Sequence, residues 1–430
     1  MNLCSTLTRP KQRPEAMTCP RMLSRFGRAQ GKLRPTGLGN RTTGDGTRPM
    51  NLLVVLLKPE RGDNLLYGAE LSALDVASAL ERRGARVGLV QWHASPVPLE
   101  SRGIRVYKLK APGVFSLLKL ALGVARAAKD EGSDVIYAYG DYFENSMVPA
   151  FLASLFTRKK FAVAVLDDGV RAIDERSISQ VLSDRIASGH SFRNSLRFTV
   201  FHGLRRFALR TTAISMVTAD SVATYAQNVL KARHVSVVPL GIDRLWFGRS
   251  TEERTYDAIY VGGLWAYKSV DVLITAWKDV VRAKPDAKLL VLGEGKEKHR
   301  LEALVAELNL SRSVSFKGYV PHSTDVHDLM SRSRLFAFPS IFEGWGRVVN
   351  EAMATGLPCI LSDIDVFKEL YSGSAVLVRA GQPKLFAEAI IELLNDDERY
   401  EELVRRGAEL TAGLTWDAVG DRMLAVLQDA

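Results

Sequence analysis

The sequence predicts an α/β protein built from two facing, doubly wound Rossmann-like domains, and three observations support this fold class. From Met50 onward, short uncharged apolar runs typical of buried parallel strands alternate with amphipathic helical stretches. The alternation pauses at residues 235–255, a stretch whose later part is polar, and then restarts. A length of 430 residues with 47% apolar and 25% charged residues fits two or three globular domains.

The first set of elements begins at the run Leu52–Leu57, which reads as a strand buried on both faces. A helix follows from Leu71 to about Arg83, because its apolar residues recur at helical spacing and Gly84 ends it. Further strands and one helix are predicted at Val87–Gln91, Ile104–Lys108, Phe115–Lys129 (the helix), Val135–Tyr139 and Phe161–Leu166.

The second set follows the stretch Val235–Thr255, which we interpret as an interdomain connection that includes Val235–Pro239. The helix Val270–Arg282 carries an apolar stripe at i, i+3, i+4 and i+7. The other elements are predicted at Asp257–Val261, Lys288–Leu292, Lys296–Leu308, Val314–Lys317, Asp325–Ser331, Leu335–Pro339, Val348–Ala354 and Cys359–Ser362, with a last helix from Trp416.

These patterns divide the chain into an N-terminal domain at residues 50–240 and a C-terminal domain at residues 241–415. Residues 416–430 form a C-terminal helix that caps back. The two sets of strand ends are expected to face each other across a cleft, which is where ligands bind in such folds.

Residues 1–49 differ from the rest of the chain. They contain ten Lys or Arg and two acidic residues, with several Pro and Gly and without apolar periodicity. Such a segment cannot bury enough apolar surface to offset the entropy of ordering, so we expect a disordered tail. A misassigned start or an inert tail is favoured over a transit-like leader or a basic arm for anionic partners.

Several function classes are excluded or disfavoured by composition. Most of the net charge of +10 comes from the tail, so nucleic-acid binding by the folded part is not supported. Three cysteines and seven scattered histidines favour a reducing compartment and no metal cage. No apolar run is long enough for a spanning helix. We expect a cytoplasmic protein; weak peripheral contact with the inner face of the membrane through the Arg-rich residues 192–210 is the less favoured alternative.

The most informative segment runs from Phe342 to Glu351. Gly344 and Gly346 allow a tight turn after a strand, and the helix that follows offers free backbone N–H groups and a positive dipole end, which suit a phosphate. Glu343 and Glu351 flank this position. Ionised carboxylates accept hydrogen bonds from hydroxyl groups, so the pair suits a polyhydroxylated ligand.

With these residues the sequence resembles the retaining glycosyltransferases of family 4, which have the two-domain GT-B fold. Glu343 and Glu351 fit the family's signature of two glutamates separated by seven residues. The resemblance covers essentially all of residues 50–430, since further matching segments occur in family order: Gly68-Ala69-Glu70, Pro239–Asp243, Leu292–Gly295, Phe316–Val320 and Phe338–Ser340.

The resemblance implies roles for residues of the second domain. Glu343 would contact the hydroxyls of the donor sugar, and Glu351 the ribose hydroxyls of the nucleotide. Lys268 would stabilise the charge that grows on the departing diphosphate. The family usually has an Arg five residues before this Lys, where this chain has Gly263. The remaining candidate donor-binding residues are Gly68, Gly344, Trp345, Gly346, Arg347 and Val348.

The first domain departs from the family at Asp167-Asp168-Gly169, where family members often carry a His after the preceding strand. We take Asp167 as the third candidate catalytic residue, beside Glu343 and Lys268. Asp168 at the same place, or an acidic turn that only ends the strand, remain open alternatives, because an ionised Asp cannot donate a hydrogen bond.

The resemblance therefore implies a metal-independent transferase without a cofactor, which moves a sugar with retention from a nucleotide diphosphate sugar to a glycan, a lipid or a small molecule. Two alternatives stay open. One is a nucleotide-sugar isomerase on the same fold. The other is a binding-only subunit of a heteromeric transferase, whose missing Arg and His mark lost catalysis.

The tail is expected to be dispensable, because it holds none of the candidate site residues. A chain that starts at Met50 should melt within a few degrees of the full chain and bind the same ligands. A larger drop in melting temperature, or a loss of ligand binding, would show that the tail packs on the folded body.

Overall fold

The leucine- and valine-rich run Asn51–Leu56 forms a buried interior strand of a parallel sheet. The structure, a computed structural model, describes residues 49–57, 68–92, 104–109, 116–140, 146–165, 177–189, 191–211, 213–248, 253–321 and 323–429. The tail, residues 1–48, and Asp167 therefore lie outside the described residues. Residues 49–430 form one compact unit that contains both sheets.

The first sheet has seven described strands in the order β3-β2-β1-β4-β5-β6-β7, and all neighbouring pairs are parallel. The order reverses between β1 and β4, which makes this the topological switch point. The strands are β1 (Asn51–Leu56), β2 (Arg86–Trp92), β3 (Arg105–Leu109), β4 (Val135–Tyr139), β5 (Lys160–Val165), β6 (Ala213–Val217) and β7 (His234–Val237).

Six described helices accompany this sheet, and together they form the first lobe. They are α1 (Gly68–Arg82), α2 (Ser116–Asp130), α3 (Met147–Thr157), α4 (Ile178–Ala187), α5 (Phe192–Thr211) and α6 (Asp220–Asn228). α1 shares one apolar cluster with β1, and α2 and α3 belong to another cluster. The helices α2, α3, α5 and α4 pack in that order, each against the next.

The second lobe repeats the plan with six described strands in the order β10-β9-β8-β11-β12-β13, all parallel. Its switch point lies between β8 and β11. The strands are β8 (Tyr256–Val261), β9 (Leu289–Leu292), β10 (Val314–Gly318), β11 (Ser333–Phe338), β12 (Cys359–Ser362) and β13 (Val376–Val378). The helices are α7 (Val270–Ala283), α8 (Lys298–Glu307), α9 (Ser323–Ser331), α10 (Arg347–Ala354), α11 (Asp365–Tyr371), α12 (Pro383–Asn395) and α13 (Asp397–Thr411).

The chain ends in α14 (Trp416–Asp429), which returns to the first lobe and packs against α1. Its buried Val419 and Met423 share the apolar cluster of β1 and α1. A side chain at Gly241 would place a Cβ 2.5 Å from the Trp416 ring, so glycine permits this close approach at the junction between the lobes. The predicted two-sheet α/β architecture with a helix that caps back is confirmed.

One sequence-based assignment is wrong. Val235–Pro239 was interpreted as part of the interdomain connection, but His234–Val237 form β7 and pair with β6. The strand is four residues long and lies at a sheet edge with its residues half-buried or exposed. A short edge strand needs few apolar residues, and for that reason its pattern resembles a loop. Local sequence patterns do not predict the strands β6 and β13 or the helices α3–α6 and α11–α13.

Glycine at position 293 lets the loop after β9 touch the loop after β8. At its φ of +138°, an added Cβ would lie 1.9 Å from the carbonyl oxygen of Gly262. Gly248 has a similar φ of +132°, and an added Cβ there would meet no atom within 4 Å. A substitution at Gly248 would therefore add backbone strain alone, whereas one at Gly293 would add the same strain and a steric overlap.

We expect Gly248→Ala to lower the free energy of unfolding by about 1–3 kcal/mol, the usual cost of a strained φ. Gly293→Ala should lower the free energy of unfolding clearly more than Gly248→Ala, because the Gly262 carbonyl must also move. Urea unfolding of both variants measures the difference. Equal losses of unfolding free energy in the two variants would show that the loops after β8 and β9 can move apart without cost.

Candidate functional site

Two loops meet at the switch point of the second sheet. One follows β8 and leads to Lys268, and the other follows β11 and leads to Glu343. The carboxyl ends of neighbouring parallel strands lie at the same sheet edge, so these side chains are brought together although they are far apart in sequence. The Lys268 ammonium forms an ion pair with the Glu343 carboxylate.

Backbone contacts fix these two loops relative to each other. The amide of Ile341 donates to the carbonyl of Tyr267 at 3.0 Å. The Ser340 hydroxyl lies 2.9 Å from the carbonyl oxygen of Phe342 and 3.3 Å from that of Tyr267. The side chains of Lys268 and Glu343 are 14% and 12% exposed. The Lys268 ammonium also lies 5.2 Å from the centroid of the Phe338 ring. A cation held among aromatic rings with little water interacts more strongly with an anion than one in bulk solvent.

Gly263 occupies the position where the resembling family carries an Arg. A Cβ added at Gly263 would lie 2.4 Å from the indole nitrogen of Trp265. The Trp265 ring therefore fills the space next to this position, and the carbonyl of Gly263 accepts a hydrogen bond from the Tyr260 hydroxyl at 3.1 Å. A larger residue would need the indole to move.

The turn before α10 is held by hydrogen bonds to its carbonyl groups. The Tyr371 hydroxyl donates to the carbonyl of Trp345 at 3.0 Å and accepts from the Asn350 side-chain amide at 2.7 Å. Gly346 has a φ of +78°, and an added Cβ would lie 2.8 Å from the Phe367 ring. These contacts present Gly344, Trp345 and Gly346 as one rigid turn.

α10 begins at Arg347, and its first intrahelical hydrogen bond is donated by Val349 to Gly346 at 2.9 Å. The amides of Arg347 and Val348 precede that bond, so they are the N–H groups that a helix leaves for an anion. Gly344–Gly346 lead directly into this helix start. The backbone geometry thus has the features of an anion site beside Lys268 and Glu343.

Glu351 lies one turn into α10 and is buried. Its Oε1 accepts from Nε of Arg347 at 2.7 Å. Burial raises the pKa of the Glu351 carboxyl, the Arg347 guanidinium opposes that rise, and the carboxylates of Asp75 and Asp243 add to it. Arg347 is therefore the group that favours the ionised form of Glu351.

The first lobe contributes directly to this site. The Thr218 hydroxyl, which follows β6, donates to the carbonyl of Gly344 at 2.8 Å. The Glu369 carboxylate of α11 accepts from the backbone amides of Asp220 and Ser221 at 2.6 and 2.8 Å, so it caps the start of α6 from the other lobe. Thr218 and Glu369 were not singled out by the sequence, since contacts between distant residues leave no local pattern.

The structure thus brings most of the candidate residues together. Glu343, Lys268, Gly263, the turn Gly344–Gly346, Arg347, Val348 and Glu351 surround the carboxyl end of β8 and β11. Gly68 is the first residue of α1, whose later residues Ser72 and Asp75 contact Arg347. Among the residues that the structure describes, no group of three metal-ligating side chains could hold a metal ion.

Two family models match the chain over adjoining segments. The model of a glycosyl transferase 4-like domain matches residues 67–241, and the model of glycosyl transferases group 1 matches residues 245–410. Together they span both lobes.

Curated relatives match over part of the chain. A phosphatidyl-myo-inositol mannosyltransferase from Mycobacterium leprae is 30% identical over 193 residues, which are 44% of this chain and 47% of the relative. A GDP-mannose-dependent monoacylated alpha-(1-6)-phosphatidylinositol monomannoside mannosyltransferase from Corynebacterium glutamicum is 31% identical over 37% of this chain and 44% of its own length. The matched segment thus spans less than half the length of each of these relatives.

Solved structures show the same fold over most of the chain. Anabaena Alr3699/HepE in complex with UDP-glucose superimposes with a TM-score of 0.69 at 20% identity, over 89% of this chain and 100% of that one. WaaG, a glycosyltransferase involved in lipopolysaccharide biosynthesis, superimposes with a TM-score of 0.64 at 14% identity, over 89% of this chain and 100% of that one. The expected GT-B fold is thereby confirmed.

Proposed function

The chain belongs to the group 1 glycosyltransferases, and we propose that it transfers a sugar from a nucleotide diphosphate sugar to an acceptor with retention of anomeric configuration. The observation that carries this proposal is the convergence of Lys268, Glu343 and the start of α10 at the switch point of the second sheet. A cation, a carboxylate and free backbone amides at one sheet edge suit a diphosphate joined to a sugar.

Each part of the donor has a matching group. The amides of Arg347 and Val348, with the Lys268 ammonium, would bind the diphosphate. Glu343 would accept hydrogen bonds from the sugar hydroxyls, and Glu351 from the ribose hydroxyls. The Arg347 guanidinium already has carboxylate and hydroxyl partners. We therefore propose that Arg347 contacts the nucleotide sugar through its backbone amide.

The Lys268–Glu343 ion pair suits this arrangement. A diphosphate beside Lys268 would share the ammonium with Glu343, and the carboxylate would then be free to accept from sugar hydroxyls. During transfer the bond from the anomeric carbon to the diphosphate oxygen breaks, and both electrons leave with the diphosphate. The acceptor oxygen bonds to the same face of the carbon, and its proton passes to the departing phosphate oxygen. Lys268 would stabilise the charge that develops there.

The acceptor, a glycan, a lipid-linked molecule or a small molecule, is proposed to bind on the first lobe. The two mannosyltransferase relatives carry phosphatidylinositol in their names, which supports a lipid-linked acceptor as one candidate. Asp167 remains the proposed group near the reacting carbon, and we propose that neither a metal nor a cofactor is required.

Turnover of a panel of UDP-, GDP-, ADP- and dTDP-sugars tests the proposal, with candidate acceptors and NMR analysis of the product anomer. We expect one of the donors to release its nucleoside diphosphate, and the transferred sugar in the product to keep the anomeric configuration that it had in the donor. Lys268→Ala should slow that release by about 10²–10³-fold. Interconversion of the free donor would instead indicate an isomerase, and binding without release would indicate a partner subunit. An inverted product would contradict retention.

The two glutamates should fail in different ways. Glu351 would contact ribose, which is unchanged as the glycosidic bond breaks, so Glu351→Ala should raise the donor KM and leave kcat nearly intact. Glu343 would contact the ring that gains positive charge, so Glu343→Ala should also lower kcat. Steady-state kinetics with varied donor measures both effects. The reverse result would place the donor in the opposite orientation, and unfolding of both variants would make the glutamates structural.

We also propose that the first lobe contacts an anionic membrane through the apolar surface formed by α2, α3, α4 and α5. Among the described residues, ten of the thirteen exposed large hydrophobic side chains lie on these helices: Leu118, Leu122, Leu155, Phe156, Ile178, Ile186, Phe192, Leu196, Val200 and Phe207. The same helices carry nine Lys or Arg, of which Arg205 is buried, and two acidic residues. Apolar side chains among cations suit anionic lipid headgroups.

The exposed face of α5 is apolar and its buried face is partly polar, which is why the sequence alone did not distinguish these two faces. Its exposed Phe192, Leu196, Val200 and Phe207 follow spacings of four, four and seven, so they share one face. The opposite face buries His202 and Arg205 rather than a purely apolar stripe. None of the described helices combines the length and apolar character that a membrane crossing requires, and this proposal concerns surface contact alone.

Flotation with phosphatidylcholine vesicles, with and without phosphatidylglycerol, tests the surface. We expect binding to the anionic vesicles that weakens with salt. Replacing Leu196 and Phe207 together by Ser should weaken it about tenfold, because both side chains lose apolar area. Leu385→Ser, at a Leu of similar exposure on α12, is the matched control and should bind normally. Equal binding of all variants, or none by the wild type, would contradict the proposal.

A further inference from the structure

The side chain of Arg347 connects the two lobes at the candidate donor site. Its Nε donates to Glu351 on the same helix at 2.7 Å. Its Nη2 pairs with Asp75 of α1 at 2.8 Å, and its Nη1 donates to the Ser72 hydroxyl at 3.0 Å. Its guanidinium carbon also lies 5.9 Å from the ring of Trp416. One planar group therefore contacts α10, α1 and α14.

Burial alone would lower the pKa of the Arg347 guanidinium, but the carboxylates of Glu351 and Asp75 more than offset this effect and raise the pKa. The side chains of Arg347, Asp75 and Glu351 are 19%, 18% and 12% exposed, so these charges interact with little water between them. A guanidinium presents its N–H groups in a fixed fork, which holds each partner in a set direction.

We propose that Arg347 is a positioning residue, held by Asp75 and Ser72 of the first lobe, which orients Glu351 for the ribose of the donor. The inference rests on the proposed function, because it takes Glu351 as the ribose contact. It adds that two residues of the first lobe set donor affinity without touching the donor.

The geometry gives the physical reason. Asp75 draws Nη2 toward α1, so Arg347 holds Glu351 through Nε at a single carboxylate oxygen. Without the Asp75 charge, the guanidinium would be free to turn and bind Glu351 through two nitrogens, which is the favoured geometry of an Arg–carboxylate pair. Both carboxylate oxygens would then accept from the guanidinium, and fewer of their lone pairs would face the ribose hydroxyls. By linkage, a bound nucleotide would favour the docked position of α1 to the same extent.

A matched control lies on the same helix. Nε of Arg82 pairs with Asp417 of α14 at 2.9 Å, and Arg244 pairs with the other oxygen of Asp417 at 3.1 Å. Arg82→Gln therefore breaks an ion pair of α1 and leaves the Arg347 contacts in place. Exposed ion pairs of this kind contribute little to stability, so the fold should tolerate the loss of this one.

The test is titration calorimetry of the full chain with UDP, GDP and their 2′-deoxy forms, with a melting curve for each variant. Asp75→Asn should weaken ribonucleotide binding about tenfold, a typical coupling between sites. It should also reduce the preference for ribose over 2′-deoxyribose. In a Glu351→Gln background, Asp75→Asn should cause little further loss of affinity, because both substitutions act on the contact between Glu351 and the ribose. Arg82→Gln should leave the affinity and the preference unchanged.

Additive effects of Asp75→Asn and Glu351→Gln, or an equal loss for ribose and 2′-deoxyribose nucleotides, would overturn the inference, since a purely structural role predicts both. If Asp75→Asn does not fold, Ser72→Ala removes the other contact of Arg347 with α1 and should shift the preference in the same direction. Unchanged nucleotide binding by Glu351→Gln itself would overturn the ribose role in the proposed function. A Glu351 effect without an Asp75 effect would overturn the positioning role alone.

Discussion

Hydrogen bonds from both lobes to the turn and helix at residues 344–351 are the constraint on which the site depends. Tyr371 holds the Trp345 carbonyl from the second lobe, and Thr218 holds the Gly344 carbonyl from the first. Arg347 then ties the same segment to Asp75. Because buried carbonyls and charges are costly without partners, the segment keeps this geometry while the lobes stay docked. The candidate donor site is thus a property of the two lobes together, although its named residues lie in one.

Polar contacts join the lobes near the site, beside an apolar cluster that contains residues of both lobes. Glu369 caps α6 across the junction, and Asp417 of α14 pairs with Arg82 of the first lobe and Arg244 before β8. Polar contacts of this kind exchange with water at lower cost than apolar ones, and polar interfaces between domains permit relative motion. A nucleotide sugar that binds Glu351 in its present orientation would favour the docked arrangement of the lobes. Binding of the donor would in this way favour closure of the cleft.

The sequence predicted those parts of the fold and site that depend on local patterns. The strand after Met50 is an uncharged apolar run, and the turn at Gly344 and Gly346 precedes a helix that begins within a residue of the predicted start. The strand β7 was missed because an edge strand of four residues needs little apolar character. Asp75, Thr218 and Glu369 were missed because their partners are more than 120 residues away along the chain. Such pairs arise from the packing of the lobes, which no local pattern encodes.

A crystal structure of the chain with the nucleoside diphosphate that it binds tests the central claim most directly. The account predicts diphosphate oxygens within hydrogen-bonding distance of the backbone amides of Arg347 and Val348 and of the Lys268 ammonium, with the ribose hydroxyls at Glu351. A nucleotide bound elsewhere in the cleft, or one whose ribose faces away from Glu351, would contradict it.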